Sequence, residues 1–382
     1  MKVLILGGDG YLGWPTAMKL SSDGHNILVV DNYSRRKIAS DRNLPTLISV
    51  PNLQQRVVTW KAKTGREILV RIGDVQEYEF ILDLFHEYGP DAVIHFAEQP
   101  SAPYSMAGYL EARYTLTNNL LTTLNVSHAV KQTNPEVHIV KLGTMGEYGT
   151  PNIDIEEGYL DIEHNGRKDR FLYPRKGGSL YHTTKIQDTD LLYFYSGVWG
   201  LRVTDLMQGP VYGMFTKEME YQPSLATNFS YDEIFGTVLN RFVVQAAIGR
   251  PLAVYGSGTQ KRGFLNIVDT LECIAIALRN PPRPGEMSIL NQFTEVFSIL
   301  DLAHLVKQSG DDLKLNVEIV NIPNPRVEKE DHYYNPRTTR FRELGLEPHL
   351  LDQEVLSEML EHVLRYKDNV VPEIVSPKTS WN

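Results

Sequence analysis

Tyr181 and Lys185 bracket the segment Tyr-His-Thr-Thr-Lys inside a helical pattern that runs to residue 199. That spacing stacks the two side chains one turn apart on one helix face. An ammonium beside a phenol favours the phenolate. Such a tyrosine can take a proton from a substrate hydroxyl while a hydride leaves the same carbon. By itself the pattern is common on amphipathic helices. Gly143-Thr144 adds to it, ending a strand-like run with a hydroxyl that can bond the same substrate oxygen. Glu147 and His182 adjoin these residues, and each reads two ways. Glu147 is either a catalytic acid–base group or a carboxylate that collects backbone N–H groups. His182 is either a group titrating near neutral pH or a solvent-facing helix residue.

A departing hydride needs an acceptor, and the N-terminus provides a place for one. Lys2-Val-Leu-Ile-Leu6 is short, apolar and β-branched, so it reads as a buried parallel strand. Gly7-Gly-Asp-Gly10-Tyr-Leu-Gly13 follows at once, and a helical pattern covers Tyr11 to Ser22. Glycines there make a tight turn, let the backbone approach a pyrophosphate, and allow the helix to pack closely on the strand. The helix N-terminus offers free N–H groups and a positive dipole end. Asp31 closes the next strand, Asn26-Ile-Leu-Val-Val30, where an acid holds a ribose 2′-hydroxyl and repels a 2′-phosphate. This points to NAD rather than NADP. Arg35 and Arg36 point the other way, because guanidiniums welcome a phosphate. Asp74 is either a contact to adenine or a helix N-cap.

These residues need elements to carry them. Further strand signals lie at 68–72, 92–96, 137–142 and 201–204, with helical stretches near 75–88, 109–132 and 181–199. Strands alternating with helices predict an α/β fold, a Rossmann-type doubly wound parallel sheet over 1–205. Beyond 205 the alternation weakens. Segments 210–236 and 281–298 are rich in Pro, Gly, Tyr and Phe, and helical patterns return at 237–249, 267–279, 298–308 and 352–366. The expected division has 237–280 packing back onto the first domain. Residues 206–236 and 281–382 then form a smaller, discontinuous C-terminal lobe that binds substrate. The stretch 32–65 is long for a connection, and is either a surface insertion or a functional loop.

Composition limits the setting. The 382 residues suffice for two or three domains, or for one large core with an attached lobe. A net charge of −9 argues against nucleic acid and anionic membranes as partners. No run is long and apolar enough to span a bilayer. The single cysteine, Cys273, cannot pair within the chain, which suits a reducing compartment, and its place mid-helix suits core packing. The strand beginning at Lys2 leaves no signal or transit pattern, so a cytoplasmic protein is expected. No metal site is expected.

The Gly loop, strand-end Thr and Tyr-x-x-x-Lys together resemble the extended short-chain dehydrogenase/reductase superfamily in its nucleotide-sugar branch. Trp60-Lys-Ala-Lys-Thr-Gly65, Ser101-Ala-Pro-Tyr-Ser-Met106, Leu142–Glu156, Phe235–Phe242, Asn291–Glu295 and Ile322–Glu328 with His332–Asn335 resemble the UDP-sulfoquinovose synthase family more closely. The likeness runs from Met1 to Ser380-Trp381. It implies an enzyme, formally a hydrolase acting on carbon–sulfur bonds, that makes UDP-sulfoquinovose from UDP-glucose and sulfite. NAD stays bound throughout. A homodimer is implied, and a product that feeds either a sulfolipid or a surface glycan.

By the same likeness Gly7, Gly10, Tyr11, Leu12, Gly13, Asp31, Asn32, Arg35, Asp74, Val75, Phe96 and Asn118 hold the cofactor, together with Tyr181 and Lys185. Thr144, Met145, Glu147, Tyr181, His182 and Lys185 are implied at the reacting carbons. Gln99, Thr144, Gln208, Tyr212, Thr237, Arg262 and Arg326 are implied to hold the nucleotide sugar. Sugar 4,6-dehydratases carry Asp-Glu directly after the strand-end Thr, whereas this chain has Met145-Gly146 and an acid one place later. The implied base at C5 is therefore His182 or Glu147. Where plant members carry an Arg after Glu98-Gln99, this chain has Pro100, which removes an anion contact. Sulfite handling or delivery would differ accordingly, a sulfite-donating partner protein included. The alternative is another UDP-sugar 4-epimerase or 4,6-dehydratase.

Overall fold

Strand β1 (Lys2–Leu6) has four consecutive fully buried residues, Val3 to Leu6, as expected of a central strand covered on both faces. In the computed structural model, which describes every residue except 221, 327–331, 377–380 and 382, it anchors a seven-stranded sheet. The chain runs through α1 (Gly13–Ser22), β2 (Asn26–Asp31), α2 (Ser34–Asp41), α3 (Leu53–Thr64), β3 (Ile68–Ile72), α4 (Tyr78–Tyr88) and β4 (Ala92–His95). Next come α5 (Ala102–Ser105), α6 (Tyr109–Thr133), β5 (His138–Thr144), the hairpin β6 (Tyr159–His164) and β7 (Arg167–Leu172), α7 (Leu180–Trp199) and β8 (Arg202–Gln208). The remainder is β9 (Val211–Tyr212), α8 (Val238–Ala247), β10 (Leu252–Tyr255), β11 (Lys261–Asn266), α9 (Ile267–Arg279) and β12 (Met287–Gln292). It ends with β13 (Glu295–Ser298), α10 (Ile299–Asp312), β14 (Ile319–Ile322), α11 (Arg340–Glu343) and α12 (Gln353–Arg365).

The sheet order is β12-β8-β5-β4-β1-β2-β3, all parallel, with the strand order reversing between β1 and β4. Helices α1, α3 and α9 supply the apolar layer on one face, and α4, α6 and α7 that on the other. Ligands of such sheets bind beyond the strand C-termini at the switch point. There Leu6, Asp31, His95, Thr144 and Gln208 end their strands.

The lobe has its own core, in which α8, α10 and α12 pack together with Leu252, Val254 and Phe264. Two sequence expectations change here. Residues 287–292 pair with β8 as the seventh strand of the main sheet, so 281–382 does not lie wholly in the lobe. Within 237–280, α9 packs on the sheet face, whereas α8 belongs to the lobe core. The long stretch after Asp31 is neither loop nor bare insertion. It folds as α2 and α3, and Trp60 of α3 is buried against α1 with its indole N–H donating to Ser21 Oγ at 3.1 Å. Val327, Glu328 and Ser380 of the sequence motifs lie outside the described residues. Among the described residues no helix is long and apolar enough to cross a membrane, and no cluster suits a metal.

Candidate active site

A cleft of about 430 Å³ opens at the strand C-termini, a volume suited to a small-molecule ligand. Its near end is the glycine loop. Gly7 sits at φ +86°, and a Cβ there would meet the Phe96 carbonyl carbon at 2.7 Å, so this turn needs glycine. The Gly7 and Gly8 N–H groups donate to Val30 O at 2.8 and 3.0 Å. Asp31 accepts from the backbone N–H of Asp9 at 2.8 Å and of Tyr33 at 2.7 Å while still facing the cleft. Burial, and then the Asp9 charge, push its carboxyl up to about 6. Asn32, Arg35, Val75, Phe96, Asn118, Gly10, Tyr11, Leu12 and Gly13 all line the cleft. Asp74 lines it too, accepting from Gln76 N–H at 2.9 Å, whereas Glu77 stands at the N-cap of α4. The cap reading of Asp74 is therefore set aside. A carboxylate has about four acceptor positions, so Asp31 keeps capacity for a ribose hydroxyl. The loop, the N-terminus of α1 and Asp31 together fit NAD.

The middle of the cleft is a polar wall formed by Thr144, Tyr181 and His182. Thr144 caps a short 3-10 turn, its Oγ1 accepting from Gly146 N–H at 3.1 Å. Helix α7 starts at a capping Ser179, whose Oγ also lies 3.1 Å from His182 Nδ1. Burial and the charges of Arg326 and Arg262 bring His182 down to about 3, so the imidazole is neutral and faces the cleft rather than bulk solvent. Lys185 behaves differently from the sequence expectation. It is buried, lies outside the cleft lining, pairs with Glu98 and stands 3.9 Å from Asp188. Its charge is thus committed to carboxylates. Burial, followed by Glu98 and Glu147, holds the Tyr181 phenol well above its usual range.

Besides Lys185, four expected site residues are not in the cleft. Glu147 is fully buried, accepting from Thr144 N–H at 3.3 Å, with Thr189 Oγ1 at 3.1 Å, Lys141 at 3.5 Å and Arg175 at 3.8 Å. It holds backbone and buries charge, so the structural reading prevails. Met145 packs in the sheet-face core with Tyr148 and Ile155. Gln99 is buried, its amide donating to Ser101 O and Thr115 Oγ1, and so shapes the turn after β4. Tyr212 is fully buried and donates to Glu295 Oε2 at 3.0 Å.

The far end of the cleft is lined by Gln208, Thr237, Arg262 and Arg326. Gln208 bonds Gln292 at 3.2 Å, and Arg326 lies 5.2 Å from the Trp381 ring. The buried Thr237 hydroxyl has no hydrogen-bond partner among the described residues, on a residue that lines this end. Glu98, Arg241, Tyr255 and Gln260 also line the cleft and were not singled out from sequence. Arg241 lay in the Phe235–Phe242 motif, which was its available signal. Glu98 had none, because its partner Lys185 is remote in the chain.

The NAD dependent epimerase/dehydratase family matches residues 3–291. A chloroplastic UDP-sulfoquinovose synthase of Spinacia oleracea is 48% identical over 380 residues, covering 100% of this chain and 79% of that protein. A UDP-sulfoquinovose synthase of Sulfolobus acidocaldarius is 44% identical over 384 residues, covering 100% and 98%. Among solved structures, the UDP-glucose 4-epimerase of Thermotoga maritima with UDP-glucose aligns at a TM-score of 0.71 and 20% identity, covering 96% of this chain and 99% of that one. The Bifidobacterium longum UDP-glucose 4-epimerase with NAD+ and UDP also scores 0.71 at 20% identity, covering 97% and 99%. With its phosphate loop, Thr144 and Tyr181 arranged along one cleft, the chain belongs to the NAD-dependent epimerase/dehydratase family, in its UDP-sulfoquinovose synthase branch.

Proposed function

We propose that the protein converts UDP-glucose and sulfite into UDP-sulfoquinovose. The observation that carries this reading is the match along the whole chain to two synthases of that name. The geometry supports it by aligning the cofactor end, the Thr144–Tyr181–His182 wall and two arginines along one cleft.

The steps follow from the residues. Arg262 and Arg326 hold the diphosphate, and the Thr237 hydroxyl gains a partner from the nucleotide sugar. Thr144 and Tyr181 receive the C4 hydroxyl, and Tyr181 takes its proton as the phenolate, having first given its own proton to solvent. NAD, when bound, supplies the acceptor for the C4 hydride and gives it back at the end. A ketone at C4 acidifies the C5 proton. Neutral His182 removes that proton, the electron pair forms the C5–C6 double bond, and the C6 hydroxyl leaves as water with a proton from the imidazolium. Hydrogen sulfite adds through sulfur at C6, and its proton passes by way of the His182 imidazole to C5. A base held down to about 3 is weak for this task. Part of that depression comes from the arginine charges, and a bound diphosphate offsets them. Substrate binding thus raises His182 toward its working range.

Two coarser proposals accompany this. Helices α6 and α7 pack together and expose Leu110, Leu116, Leu121, Tyr193, Phe194 and Val198, an apolar surface suited to a homodimer. The single unpaired cysteine, buried in α9, suits the cytoplasm.

The test is mass spectrometry of the sugar nucleotides after incubating the protein with UDP-glucose and sulfite. A product that forms only with sulfite and carries its mass supports the reading. UDP-galactose or a 4-keto-6-deoxy sugar as the sole product overturns it.

A further inference from the structure

Two arginines follow Asp31, and a guanidinium at that place is what accommodates a 2′-phosphate. Both are engaged by protein groups here, Arg35 at the lining of the cleft and Arg36 outside it. Arg35 turns toward the lobe, donating to Ser230 Oγ at 2.8 Å with its guanidinium 4.6 Å from the Phe235 ring. Arg36 turns back under the glycine loop. Its Nε and Nη2 donate to both oxygens of Asp9 at 2.7 and 2.8 Å, while Nη1 and Nη2 reach the carbonyls of Val50 and Pro51 at 2.8 Å each.

Asp9 is itself buried and is held from a second side by the fully buried Arg56, whose guanidinium lies 4.8 Å from the Trp14 ring. Val50, Pro51 and Arg56 all belong to the long segment after β2. That segment therefore supplies three of the groups that fix the Asp9–Arg36 pair. Asp9 touches the cofactor end in one further way, since its N–H donates to Asp31.

We infer that Asp9 is a second determinant of cofactor choice, acting by withholding Arg36 from the ribose 2′ position. Asp31 repels a 2′-phosphate, and Asp9 with the 50–56 segment denies it Arg36 as a counter-ion. The inference rests on the cofactor site alone and stands whichever sugar reaction the cleft performs.

The test measures NADP+ and NAD+ affinities of the full-length protein by competition, quantifying the nucleotide retained after desalting. Asp31→Ser removes the repulsion and gives measurable NADP+ binding. Adding Arg36→Met to Asp31→Ser leaves that affinity unchanged, because Arg36 is already engaged elsewhere. Adding Asp9→Asn instead raises NADP+ affinity by about tenfold or more, the scale of a new bond to a charged group. Arg36→Met in that double variant abolishes the gain.

The idea is overturned if Arg36→Met costs about tenfold in NADP+ affinity in the Asp31→Ser background, which would show Arg36 already on the phosphate. It is equally overturned if a folded Asp31→Ser/Asp9→Asn protein shows no gain. Should the loss of Asp9 leave Arg56 unpaired and the chain unfolded, the Arg36→Met comparison in Asp31→Ser decides the matter by itself.

Discussion

Thr144, Tyr181 and His182 face the cleft, whereas Lys141, Glu147, Thr189 and Asp205 lie fully buried. The two groups come from the same elements, β5, α7 and their neighbours. Lys141 Nζ donates to Thr189 Oγ1 at 2.7 Å and lies 3.3 Å from Asp205, while Thr189 donates to Asp205 at 2.6 Å. Burying such ions costs several kcal/mol each, which only close pairing and further hydrogen bonds offset. The buried set therefore cross-links β5, α7 and β8 and fixes the backbone that carries the cleft wall. Residues adjacent in sequence thus divide into those that touch substrate and those that hold them in place. Titratable chemistry alone does not tell the two apart; access does.

The sharpest way to break this division is Tyr181→Phe. The hydroxyl is lost from the cleft while the ring remains, so UDP-glucose binding and the melting temperature stay near wild type. Turnover falls by about 10²–10⁴, the scale of a general acid–base group. Steady-state kinetics beside a binding titration check this, and near-normal turnover would remove Tyr181 from the chemistry.

A reciprocal pair comes next. His182→Ala leaves stability close to wild type but slows C5 exchange with heavy water by about 10²-fold or more. Reduced cofactor and 4-keto-UDP-glucose then accumulate. Glu147→Ala does the reverse, costing about 3–5 kcal/mol of stability by taking a partner from the buried ammonium, while its folded fraction still exchanges C5. Chemical denaturation and the isotope content of recovered sugar report the two effects separately. If Glu147→Ala is as stable as wild type and exchanges nothing, Glu147 returns to the reaction and the division fails.

Much of this arrangement was legible beforehand, for physical reasons. The strands buried on both faces, the glycine loop and Asp31 are local patterns, and all stand where the periodicity put them. Thr144 and Tyr181 were readable because a strand end and a helix start fix their direction. Glu147 was not, because one residue of offset within a 3-10 turn decides whether a carboxylate points to solvent or to Lys141. Lys185 shared a helix face with Tyr181 as expected, yet Glu98 claimed its charge across the sheet top. Gln99 and Tyr212 failed likewise, their partners Thr115 and Glu295 being tertiary. Strand β12 was missed because Pro281, Pro282, Pro284 and Gly285 just before it give the segment the composition of a loop, although helices flank it.

The smallest effect belongs to Met145, which the family likeness put at the reacting carbons. In the structure its side chain is 6% exposed and sits in a core shared with Tyr148, Ile155 and Tyr173. Thr144 before it faces the cleft, so the chain turns its side chains to opposite surfaces within one residue. Replacing Met145 with Leu keeps volume and apolarity, and such swaps cost less than about 1.5 kcal/mol. Melting temperature should therefore drop by no more than a few degrees, and both turnover and the KM for UDP-glucose should stay within about twofold. Thermal melts and steady-state kinetics on the purified variant read this directly. A tenfold rise in KM, or a change in product ratio, would mean that Met145 reaches the sugar and that the wall between core and cleft is drawn one residue too early.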